Sequence, residues 1–107
     1  MPDAAPHELI TVRDFLRWSV SGFRKAKLAH GHGATNAIDE AAFLILEALN
    51  LPVDDINPWL DARLTGDERE AVSRLIRLRI DTRKPAPYLV NRTYIHGVPF
   101  YVDERVI

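Results

Sequence analysis

From Ala37 to Leu49 the chain is apolar on nearly every side, and a helix of that composition must be wrapped by other elements. Asn36 or Thr35 can cap its start, Asp39 and Glu40 lie near the positive end of its dipole, and Pro52 marks its end. Its longest unbroken apolar run, residues 41–46, is far below the roughly 20 residues needed to cross a bilayer. The cover must come from protein. The remaining residues are therefore expected to supply amphipathic helices around it.

They carry the signals to do so. Thr11 with Asp14 three residues on reads as a helix start, and Val12, Phe15, Leu16, Ser19, Val20 and Phe23 follow as a mostly apolar stripe. Gly31 and Gly33 can take the positive φ that ends a helix, which predicts a break near residue 30. Asn57-Pro58 has the form of a cap and first-turn proline, predicting a short helix from Pro58 to Arg63 with Trp59 and Leu60 inward. Thr65 and Glu68 form a capping box that opens a last long helix. Its buried stripe is Val72, Leu75, Ile76 and Ile80, with Arg69, Glu70, Arg74 and Arg77 solvated. After Thr82, Pro85 and Pro87 rule out continuous helix and predict extended chain. The β-rich segments 92–96 and 100–102 flank Gly97-Val98-Pro99 and predict a hairpin, which needs cover from elsewhere because an isolated hairpin is barely stable. The expected fold is mainly α: a small bundle of about four to five helices over residues 11–82, behind a loose tail at 1–10. A linker and β-hairpin at 83–107 complete it.

At 107 residues the chain is about one domain, too short for a recognition domain plus a doubly wound nucleotide-binding domain. The absence of cysteine removes disulfides, thiolate metal sites and thiol nucleophiles together. Residues 1–8 lack the positive end and apolar run of a secretory signal, so a soluble cytoplasmic protein with no membrane partner is expected. With 14 basic and 15 acidic residues the net charge is -1, which gives no whole-domain footprint for nucleic acid. The charge is nevertheless blocked. Arg13, Arg17, Arg24, Lys25 and Lys27 stand against Asp14 alone in residues 11–30. Residues 36–61 hold six acidic side chains and no Lys or Arg, and residues 63–92 return to the basic side. The blocks either neutralise one another across the bundle or leave a docking surface.

Chemistry is sparse. Gly31-His32-Gly33-Ala34-Thr35-Asn36 has two glycines of a dinucleotide fingerprint but Asn36 in place of the third, and it follows a helix rather than a strand; a helix-helix corner explains it better. His30 and His32 could give two metal ligands, but nothing nearby completes a site, and exposed corner histidines are the simpler reading. Ser19, Ser21 and Ser73 lack a nucleophile elbow. The adjacent carboxylates Asp39-Glu40, Asp54-Asp55 and Asp103-Glu104 read as caps and solvated surface rather than an acid-base pair.

Arg83-Lys84-Pro85-Ala86-Pro87-Tyr88-Leu89, leading to Gly97-Val98-Pro99-Phe100-Tyr101-Val102-Asp103-Glu104-Arg105-Val106-Ile107, resembles the end of the N-terminal domain in the HemK/PrmB family. These are S-adenosylmethionine-dependent methyltransferases that modify a glutamine side-chain amide. Asp61-Ala62-Arg63-Leu64-Thr65 and its flanking helices fit the same family, so the resemblance covers most of the chain and is most specific after residue 60. Phe100 to Val106 is most similar to the PrmB branch, which acts on a large-subunit ribosomal protein, rather than the release-factor branch. One departure stands out: Val90-Asn91 replaces a common Thr-Gly, and asparagine tolerates the left-handed turn conformation better than most residues.

The resemblance implies a helical substrate-recognition domain joined through a hairpin to a Rossmann-like catalytic domain downstream. The cofactor loop and the amide-holding Asn-Pro-Pro-Tyr motif would lie in that domain, so no catalytic, cofactor-binding or metal-binding residue is carried over to this chain. S-adenosylmethionine is expected in the longer parent enzyme, and this segment alone is expected to be inactive. The expected partners are a ribosomal protein or release factor and the catalytic domain. Arg92, Tyr94 and His96 are the candidate substrate contacts. The alternative is a free-standing helical interaction module, with a nucleic-acid version using the basic helix from Thr65 to Asp81, although Glu68 and Glu70 interrupt that helix.

Overall fold

The backbone donors at the start of the first helix find partners from two directions. In the computed structural model, which describes residues 8–30, 36–90, 92–95 and 98–101, α1 spans Val12–Ala26 with Thr11 as its N-cap. Thr11 Oγ1 accepts from the Asp14 N–H at 3.2 Å, and the Asp14 carboxylate accepts from the N–H groups of Thr11 at 3.0 Å and Ile10 at 2.9 Å. This is the expected capping box. It leaves the N–H groups of Val12 and Arg13 open, and these donate to the carbonyls of Ala62 at 3.0 Å and Leu60 at 2.9 Å. The Leu64 N–H returns to the Ile10 carbonyl at 2.9 Å, so residues 60–64 lie across the start of α1 with Thr11 opposite Arg63. The helix expected from Pro58 to Arg63 is only a 3-10 turn at Asn57–Trp59, with the Leu60 N–H on the Asn57 carbonyl at 3.4 Å, after which residues 60–64 run alongside residues 10–13. Leu9 is buried, which ties down the chain just ahead of the cap.

α1 ends at Ala26, earlier than the glycines predict. Lys27 takes the left-handed turn at φ 54, its N–H bonds the Arg24 carbonyl at 3.1 Å, and the Leu28 N–H bonds that of Phe23 at 3.3 Å. This is a Schellman stop, in which the buried pair Phe23 and Leu28 stands in for a glycine. The same ending recurs after α2, Ala37–Ala48, where Asn50 has φ 60 and the Leu51 N–H reaches the Leu46 carbonyl at 2.9 Å.

α2 is the wrapped helix anticipated from its composition. Asn36 caps it by accepting from the Asp39 N–H at 2.8 Å, and Ala41, Leu44, Ile45 and Leu46 are all essentially inaccessible. It packs against α1, against α3 at Gly66–Thr82 and against α4 at Ala86–Val90. The Thr65–Glu68 capping box forms at the start of α3, which turns Val72 and Ile76 into the core. α4 replaces the extended chain expected after Thr82. Pro87 sits in its first turn, where a missing N–H costs nothing, and Ala86 is buried against the bundle. The hairpin expected beyond it is not supported, and no third strand among the described residues offers it cover.

One charged cluster lies inside this apolar body. Arg79 donates to Glu40 through Nε at 2.7 Å and Nη2 at 3.2 Å, and Nη2 also reaches the Ala29 carbonyl at 2.6 Å. Both side chains are buried, at 3% and 2% exposure, and His30 Nδ1 hydrogen-bonds the same carboxylate from above. Two readings change accordingly. Glu40 is a buried ion-pair member rather than a solvated first-turn acid, and His30 is a largely covered partner rather than an exposed corner residue.

Removing Arg79 would strand the Glu40 charge, so Arg79→Leu is expected to cost about 3–5 kcal/mol in urea unfolding. The double variant Glu40→Leu/Arg79→Leu should recover at least half of that loss; a double as unstable as the sum of both singles would contradict the pairing. A second expectation concerns acid. The Asp14 carboxyl is held below its ordinary 3.8, chiefly by the Ile10 N–H and next by the Thr11 N–H. Because the folded value is depressed, its stabilisation is present above the ordinary carboxylate range and fades as pH falls through the folded value. The melting-temperature gap between the native chain and Asp14→Asn, followed by circular dichroism, should be open at pH 6 and close near pH 2.

Candidate functional site

The side chains of Arg92 and Tyr94, and the whole of His96, lie outside the described residues, as do His7, His32, Asp103, Glu104 and the glycines of 31–33. The other chemically suggestive residues have structural employment. Ser73 Oγ donates to the Glu70 carbonyl at 3.2 Å, and Asp55 accepts from the Asn57 N–H at 3.0 Å. Ser19 is buried on α1 and its hydroxyl has no hydrogen-bond partner among the described residues. No group of three metal-ligating side chains gathers among the described residues, and none of their helices is long and apolar enough to cross a membrane.

The charge blocks cancel at some positions and not at others. Arg13 of the first block meets Asp61 of the second at 3.1 Å, and Arg79 of the third meets Glu40 of the second. Arg74 reaches Glu70 within α3 at 3.8 Å, and Arg83 donates to the carbonyls of Ala26 at 2.9 Å and Lys27 at 3.3 Å. The α3 cations proposed for nucleic acid are thus partly committed inside the bundle. Arg17, Arg24 and Lys25 on α1 are exposed and make no hydrogen bond or ion pair among the described residues.

Beside them a groove of about 370 Å³ opens between α1 and α3, lined by Arg17, Trp18, Ser21, Gly22, Lys25 and Ile80. Gly22 and Ser21 leave the space by having little or no side chain, and no carboxylate lines it among the described residues. Trp18 is fixed as its floor by an edge-on contact with Phe15, ring centroids 6.1 Å apart at 79°. Sequence periodicity misses Trp18, which falls beside the predicted stripe, and misses the groove because Ile80 is brought to α1 only by the packing of α3. The legible signal is the basic helix itself, with its small-residue step at 21–22.

Comparison with known proteins places this geometry in a lineage. The chain is 53% identical over 100 residues to the ribosomal protein uL3 glutamine methyltransferase of Bradyrhizobium diazoefficiens, which covers 94% of this chain and 31% of that protein. It is 52% identical over 103 residues to the Burkholderia pseudomallei enzyme of the same name, covering 96% and 34%. Against the Neisseria meningitidis serogroup B enzyme it is 50% identical over 107 residues, covering 100% and 35%. The chain thus spans about a third of the length of these relatives. No family model and no solved structure matches. Identity at this level across nearly the whole chain makes it a match to the N-terminal domain of a PrmB-like enzyme.

Proposed function

We propose that this chain is the substrate-recognition part of a protein-glutamine methyltransferase that acts on ribosomal protein uL3 in the cytoplasm. The observation that carries the reading is the pairing of 50–53% identity across almost all of this chain with coverage of only about a third of each uL3 glutamine methyltransferase. The shared name of those relatives favours uL3 over a release factor as the substrate.

In this reading residues 11–82 form the recognition bundle behind a tail at 1–10, and residues 83–107 form the linker and hairpin toward the catalytic domain. Arg92, Tyr94 and His96 of that segment would be the substrate contacts. The family's cofactor does not fit the residues of the bundle. The sulfonium and ammonium of S-adenosylmethionine and its ribose hydroxyls call for carboxylate partners, whereas the α1–α3 groove offers two cations and no carboxylate among the described residues. Methyl transfer would belong to the remainder of the enzyme, while these helices hold the protein substrate in register.

Isothermal titration should find no saturable binding of S-adenosylmethionine to the 107-residue chain, together with measurable binding of purified uL3. Micromolar cofactor binding, or no uL3 binding, would overturn the assignment. In the whole enzyme, Arg92→Ala, Tyr94→Ala and His96→Ala are expected to raise KM for uL3 several-fold more than they lower kcat; effects on kcat alone would remove them from the docking surface.

A further inference from the structure

We infer that the face of α1 carrying Arg17, Arg24 and Lys25 docks the phosphate backbone of RNA. The case begins with the charge accounting. Arg13, Arg74, Arg79 and Arg83 are engaged by carboxylates or backbone carbonyls, whereas the side chains of Arg17, Arg24 and Lys25, like those of Lys27, Arg63, Arg69 and Arg77, make no hydrogen bond or ion pair among the described residues; these three are exposed together on α1. Their geometry suits a linear polyanion. Arg17 and Arg24 are seven residues apart and so lie within about 20° of one stripe. Arg17 and Lys25 are separated by about 12 Å along the axis, with the small residues Ser21 and Gly22 between them.

The alternative occupant, an acidic peptide, would need an apolar anchor as well as cations. The exposed large apolar side chains among the described residues are Ile38 and Leu78, and neither lines this groove, whose apolar lining of Ala26 and Ile80 is half-buried. Trp18 is only 9% exposed. Three exposed cations, with Asp14 acting on Arg17 from one turn away, still leave this face net positive and favour repeated phosphates, whose affinity comes from counterion release. That RNA is the polyanion concerned rests on the proposed action on a ribosomal protein, whose surroundings are RNA. The interrupted basic helix α3 is the poorer candidate, because Arg79 is buried and Arg83 is held by α1.

The test uses the 107-residue chain, a fluorescein-labelled 16-base-pair RNA duplex and anisotropy between 50 and 200 mM salt. Binding should weaken with salt at a slope of log affinity against log salt of about -2 to -3, the value for roughly three phosphates. The variant R17A/R24A/K25A should lose at least tenfold in affinity and flatten the slope. The charge-matched control R69A/R74A/R77A should stay within threefold. If the α1 variant loses its helical circular dichroism, R17K/R24K takes its place and should retain binding. Absence of saturable binding at 50 mM salt, equal losses in the two triple variants, or equal competition by a 16-residue polyglutamate would each overturn the inference. Binding of uL3 without RNA is scored separately, so recognition of uL3 with no RNA affinity would defeat this inference alone.

Discussion

The bundle is organised around a carboxylate that an apolar helix cannot leave alone. Glu40 sits on α2 one residue before Ala41, and both are shut away from water. A buried charge of this kind is tolerable only with a partner and with its remaining hydrogen-bond capacity filled. Arg79 supplies a two-pronged contact from α3, and His30 supplies a third donor from the chain leaving α1. The same guanidinium takes the Ala29 carbonyl, so a single cluster joins the end of α1, the first turn of α2 and the last turns of α3. Replacing such a pair with apolar side chains is often energetically neutral, so its main consequence is the register in which the helices meet rather than net stability.

A comparable economy operates at the opposite end of α1. Its first N–H groups would be orphans in any isolated helix. Here Thr11 and Asp14 satisfy each other's backbone, and the carbonyls of Leu60 and Ala62 complete the set. Residues 60–64 therefore serve α1 rather than a helix of their own. The Asp61-Ala62-Arg63-Leu64-Thr65 segment that fits the HemK/PrmB family is also the one laid across α1, with Leu64 buried and Thr65 opening α3. Its family resemblance and its architectural duty coincide.

The charges left over after these arrangements give the surface its character. Basic and acidic blocks that nearly cancel in the total cancel in space only where a partner is within reach. Arg13 finds Asp61, and Arg79 finds Glu40. The α1 face at Arg17, Arg24 and Lys25 makes no ion pair among the described residues, and a groove with a fixed tryptophan floor opens beside it. α1 presents these cations from a rigid element, because its two ends are pinned to other parts of the chain.

Local chemistry was readable directly from residues: the caps at Thr11, Asn36 and Thr65, the wrapped α2, and the core positions Phe15, Phe23, Val72 and Ile76 all follow from hydroxyl spacing and periodicity. These signals act within a turn or two of helix, so a sequence contains them in full. Partners far apart in sequence were not readable. Lys27 rather than a glycine ends α1 because Leu28 has a core to return to, and Ala86–Val90 coils because the bundle offers Ala86 a covered site. Glu40 looked like an ordinary first-turn acid until the residue 39 positions away closed on it. Sequence alone determined the three long helices, with their caps, and the family they resemble. Tertiary structure decided which charges are buried, which are spent on backbone and which remain for a partner, because burial depends on what packing places next to a side chain.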